Sequence, residues 1–101
     1  MHVGVLRLRL RIDEAHSLKE RRNVITRIRD KVAVRFKLSV ADVSEGDLLN
    51  LATLGVTAVS NDRAILQRLL ESVRGYVGQL FLAEIIDADI QVLAFDELSQ
   101  W

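Results

Sequence analysis

The sequence predicts an α+β sandwich in which two helices cover one face of a four-stranded antiparallel sheet. Three observations predict it. Residues 3–12 and 84–95 alternate with period two; residues 18–36 and 62–76 repeat apolar side chains every three or four positions; and two further strand-like runs lie between those helical segments. The order β-α-β-β-α-β, with two right-handed crossovers around a central hairpin, gives the ferredoxin-like βαββαβ sandwich with strand order 4-1-3-2. With 101 residues, half of them hydrophobic, the chain is expected to form one domain, residues 1–101, around one core.

The first stretch, "VGVLRLRLRI" at 3–12, alternates strictly from Val5. Leu6, Leu8, Leu10 and Ile12 share one face, and Arg7, Arg9 and Arg11 share the other. Arginine at every second position breaks any apolar run of the length a membrane span or a signal core needs, so no membrane partner and a cytoplasmic location are expected. "SLKE" at 17–20 is a capping box, in which the Ser17 hydroxyl accepts from the Glu20 amide and the Glu20 carboxylate reaches back. The helix it opens is expected to run to about Phe36, with Leu18, Ile25, Ile28, Val32 and Phe36 inward. Arg21 falls near the centre of that buried stripe, where it is expected to snorkel or to pair with an acid such as Asp62.

"KLSVADV" at 37–43 reads as the second strand, "SEGD" at 44–47 as a loop, and "LLNLATLGVTAVS" at 48–60 as the third strand. The β-branched Val56, Thr57 and Val59 favour strand over helix there. Ser60 or Asn61 can cap a second helix that starts at Asp62 and turns Ile65, Leu66, Leu69, Leu70, Val73 and Tyr76 inward, with Gly75 and Gly78 bracketing its end. "EIIDADIQVLAF" at 84–95 is the closing strand.

"HSLKERR" at 16–22 together with "LGVTAVSND" at 54–62 carries a resemblance to the YlxP-like family of small bacterial proteins, extending from Val3 to about Phe95. The resemblance implies a ferredoxin-like fold. It brings no catalytic residues, and it implies an association with translation and ribosome maturation, beside whose factors such proteins are often encoded.

In this topology the first and last strands are antiparallel neighbours, so opposed residues have a constant number sum. A sum of 98 sets Arg9 against Asp89, Arg11 against Asp87, Arg7 against Gln91, Val5 against Leu93 and Val3 against Phe95. On the other face it sets Leu6, Leu8, Leu10 and Ile12 against Val92, Ile90, Ala88 and Ile86. A one-residue slip would bury arginines beneath the helices. Arg9, Arg11, Asp87 and Asp89 are thus expected to form structural charge pairs. The apolar end of this open face, Val3, Val5, Leu93 and Phe95, is a candidate homodimer surface, with Leu98 and Trp101 contributing.

Net charge is zero, yet residues 1–37 hold 11 Lys and Arg against 4 acids, and residues 38–101 hold 3 against 10. Six of the cations fall within residues 16–31. Helical spacing turns Lys19, Arg27 and Lys31 toward solvent, with Arg22 and Arg29 on one flank and Arg35 on the other. Lys19, Arg22, Arg27, Arg29 and Lys31 are therefore the candidate contacts to an RNA backbone or ribonucleoprotein, or to an acidic protein partner. The plain alternative is a solvated helix face. RNA recognition by the sheet itself would need exposed aromatics for base stacking, and this register assigns only Phe95 to the open face.

Chemistry is thinly represented. The chain has no cysteine, which excludes disulfides and thiol catalysis. Asp13, Glu14 and His16 imitate a metal cluster, but such a spacing more often serves a polar turn, and no metal or cofactor is expected. Ser60, Asn61 and Asp62 are explained by helix capping, and the acidic, glycine-free loop after the first strand would repel a phosphate. The sequence thus points to a non-enzymatic cytosolic interaction protein, an RNA- or ribosome-associated accessory factor. The alternative is a homodimeric protein–protein module, and a small ester hydrolase ranks below both.

Overall fold

The computed structural model describes residues 1–13, 15–46 and 48–98, apart from the side chain of Glu97. Of the residues named above, Glu14 and Trp101 lie outside the described set. The elements are β1 (His2–Arg11), α1 (Leu18–Phe36), β2 (Ser39–Asp42), β3 (Leu51–Ser60), α2 (Arg63–Gln79), β4 (Glu84–Ala94) and a last turn of helix, α3 (Phe95–Leu98). The sheet order is β2-β3-β1-β4, the 4-1-3-2 order read from its other edge. α1 packs over β2, and α2 over β1, β3 and β4, so both helices lie on one face.

Alternation in β1 builds the core. Leu6, Leu8 and Leu10 are wholly buried, and with Ile12, Leu54, Val56, Ile25, Ile28, Val32, Leu70, Val73 and Val77 they form one continuous apolar cluster. Leu18, at 39% exposed, and Ile65, at 50%, stand at the rims of their helices rather than inside. Tyr76 is half-buried against the core, and Val77, which the apolar stripe had not included, is buried beside it. β1 approaches α2 closely at Gly4. A Cβ there would lie 2.7 Å from Leu70 Cδ1 and 2.8 Å from Leu66 Cγ, two side chains that are themselves fully buried. Gly4→Ala is therefore expected to destabilise the fold by about 1–3 kcal/mol through overpacking, measured as a shift in the urea midpoint; an unchanged midpoint would show that the two leucines move aside freely.

Helix ends follow local chemistry, with small departures from expectation. Ser17 Oγ accepts from the Glu20 amide at 3.1 Å, but the Glu20 carboxylate accepts from the His16 amide at 2.6 Å, one residue earlier than a standard capping box. α2 is capped by Asp62, whose Oδ1 accepts from the amides of Ala64 (2.9 Å) and Ile65 (3.1 Å); Ser60 instead accepts from the Asp62 amide. The helix runs through Gly75 and Gly78 to Gln79, because burial of Val73 and Val77 outweighs the roughly 1 kcal/mol each glycine costs.

The register between β1 and β4 departs from the sum of 98. Arg7 faces Asp89 and Arg9 faces Asp87, while Val5 faces Gln91 and Val3 faces Leu93; Leu6 faces Ile90 and Leu8 faces Ala88. From Ala94 back to Asp87 the strand is displaced by two residues, which leaves the side chains of that stretch on their expected faces. Between Arg9 and Leu10 the register shifts again by one, so that Leu10 faces Ile85 and Arg11 faces Glu84. The bulge resolves the Ile85–Ile86 doublet: Ile85 packs against the core, and Ile86, expected inside against Ile12, is 38% exposed on the arginine face. Phe95 does not face Val3. Its amide donates to the Met1 carbonyl at 3.0 Å as the chain leaves the strand and enters α3.

Candidate nucleic-acid interface

α1 places seven Lys and Arg among nineteen residues, against Glu20 and Asp30. Their environments separate them into groups. Arg21 is 8% exposed, and its Nε donates to the Leu51 carbonyl at 2.9 Å, so it ties α1 to the start of β3; Asp62 is engaged elsewhere, as a helix cap. Arg29 reaches Asp30 at 3.4 Å, which removes it from the unpaired cations. Arg35 stacks over the Tyr76 ring, 4.8 Å from its centroid, and Tyr76 meets Phe36 edge-to-face at 5.5 Å, fastening α1 to α2. That leaves Lys19, Arg22, Arg27 and Lys31. All four are exposed, and none has an ion pair or side-chain hydrogen bond among the described residues.

The other concentration of positive charge is matched internally. On the open face of the sheet Arg7 lies 3.7 Å from Asp89, and Arg11 lies 3.3 Å from Glu84. Arg9 stands opposite Asp87 in the ladder without an ion pair to it. Charge is thus segregated by layer: α1 and α2 together hold ten Lys and Arg against three acids, whereas the four strands hold three arginines against four acids. Sequence reading missed the share of α2, through Arg68 and Arg74, because nothing local says that the two helices form one surface.

The open face also carries a groove of about 540 Å³ beneath the loop after β2, bounded by Arg7, Arg9, Val43, Leu48, Thr53 and Ile86. A shallower apolar depression of about 270 Å³ adjoins it over Val5, Ala41, Val43 and Thr57. None of the four strands carries a Phe, Tyr or Trp; Phe81, 90% exposed, follows α2, and Phe95, 53% exposed, opens α3. Among the described residues there is no group of three or more His, Asp or Glu side chains placed to hold a metal ion. His2 begins β1 and His16 follows its far end, so a ten-residue strand separates them. Among the described residues no helix is long and apolar enough to cross a membrane.

The family model described as "Protein of unknown function (DUF503)" matches residues 3–90. The chain belongs to this family. A DUF503 relative is the Bacillus subtilis (strain 168) protein named "Uncharacterized protein YlxP", 32% identical over 66 residues, which span 65% of this chain and 72% of that one. Among solved structures, the de novo designed protein Foldit4 superposes with a TM-score of 0.52 at 14% identity, covering 92% of this chain and 96% of the designed one. Rv0793 from Mycobacterium tuberculosis gives 0.49 at 15% identity, covering 93% and 94%. The Streptomyces nogalater cofactor-independent oxygenase SnoaB gives 0.48 at 14% identity, covering 92% and 91%. The likeness to the designed protein shows the fold of this DUF503 chain and says nothing of its function.

Proposed function

We propose that this is a non-enzymatic, cytoplasmic accessory protein that holds the phosphate backbone of RNA, free or within a ribonucleoprotein, against the exposed side of its helix layer. The observation that carries this reading is the contrast between the two basic regions. Arg7 and Arg11 have carboxylates on β4, whereas Lys19, Arg22, Arg27 and Lys31 have no partner among the described residues. Four unmatched cations on one rigid helix form an anion-seeking surface, and phosphate contacts position a partner without reading its bases. The four strands carry no Phe, Tyr or Trp, which favours this mode over base stacking on the sheet.

The test is a binding titration with mixed-sequence RNA at several salt concentrations. If all four cations contact phosphates, log affinity should fall with log salt at a slope of about −3. Arg27→Glu combined with Lys31→Glu should reduce that slope by about 1.5 and weaken binding at low salt by at least about tenfold, with the thermal midpoint unchanged. No binding at low salt, or binding indifferent to the double reversal, would reject the proposal. Retention of an acidic protein by the wild-type chain after nuclease treatment would instead support protein docking on the same helix.

A further inference from the structure

We propose that the open face of the sheet seats a second copy of this chain, the two related by a two-fold axis that runs parallel to the strands between β1 and β4. The ladder supplies the reason. β1 carries a column of arginines and β4, directly beside it, a column of acids at matching heights: Arg7 with Asp89, Arg9 with Asp87 and Arg11 with Glu84. A half-turn about an axis between these columns turns the face over and exchanges them. Each arginine of one copy then meets the acid of the other, and each acid meets an arginine. Such self-complementarity is the requirement for a closed, isologous pair.

The pairing within one chain is incomplete in a way that this arrangement completes. Arg7 and Arg11 each reach an acid of β4, but Arg9 and Asp87, neighbours across the ladder, make no ion pair with each other or with any other described residue. Under the proposed axis Arg9 points at the partner's Asp87. Toward the other end of the strands Val3 meets the partner's Leu93, and Val5, 44% exposed in the single chain, meets the partner's Gln91, so apolar contact continues the polar one. The overlapping region is two strands wide with flanking side chains, roughly 33 Å by 14 Å. Summed over both copies that is roughly 900 Å², at the low end for specific association, so the dimer is expected in the micromolar range. It leaves α1 of each copy outermost, on opposite sides.

Analytical ultracentrifugation of the 11.4 kDa chain from about 1 to about 500 µM, a range set by that interface size, should show a shift to twice the mass. A species of 11.4 kDa throughout would overturn the proposal. Two exposed-site variants test the axis. Arg9→Asp alone sets Asp against the partner's Asp87 twice in each dimer, and Asp87→Arg alone sets Arg against the partner's Arg9 twice; each should raise the dimer dissociation constant at least about tenfold. Mixing them makes both contacts opposite in sign, so an equimolar mixture should recover a 1:1 heterodimer of near wild-type affinity. Pairing within one chain cannot be rescued by mixing, and failure of the mixture to associate while each variant retains its circular dichroism would reject this axis. Weakening of the wild-type dimer by salt is the accompanying measurement on the unaltered chain, and a dimer indifferent to salt would also count against the charge exchange.

Discussion

Leu8→Ala is expected to lower the stability of this protein by about 2–5 kcal/mol, the largest loss from any single substitution considered for it. Leu8 is wholly buried at the middle of the central strand β1, with Leu54 opposite it on β3 and Ala88 opposite it on β4. Because Ala88 is small, Leu8 supplies much of the volume at that level of the core. The backbones around it belong to ladders on both sides, so they cannot close the space that truncation opens. For a chain of this size the loss should lower the thermal midpoint by roughly 10 °C or more. A drop below about 1 kcal/mol in urea denaturation would mean that the helices settle onto the sheet and close the cavity.

Arg21→Met should cost about 1–3 kcal/mol while preserving most of the side chain's apolar stem. The loss comes from the Leu51 carbonyl, which receives the Arg21 Nε proton at 2.9 Å in a half-buried setting and would be left without that donor. Arg22→Met is the matched control. Arg22 is exposed and unpartnered among the described residues, so the change should stay within about 0.5 kcal/mol. Equal midpoints for the two variants in chemical denaturation would show that the α1–β3 tie contributes nothing to stability. The pair also separates structural from interacting bases on one helix: Arg22→Met should weaken RNA binding, and Arg21→Met should act on folding.

The helix charges were legible because helical spacing is local, and four of the five candidate contacts stand exposed without partners among the described residues. Arg29 is the exception, since pairing with the adjacent Asp30 depends on rotamers that spacing does not specify. Arg21 was legible as a member of the buried stripe, but its acceptor lies thirty residues away on another element and has no signature near it in sequence. The capping of α2 by Asp62 rather than by Ser60 or Asn61 is a choice among three adjacent side chains of similar competence, decided by where the chain leaves β3.

By itself the sequence determined the element order, the strand order and which side chains of β1 point inward, because period-two alternation and helical periodicity are properties of consecutive residues. It did not determine how far β4 slides along β1. Alternation is unchanged by a shift of two residues, so sums of 96 and 98 bury the same faces and both bring acids beside arginines. Only packing in three dimensions selected between them, set the bulge that sends Ile85 inward and Ile86 outward, and joined the two helices into one positive layer over a nearly balanced sheet.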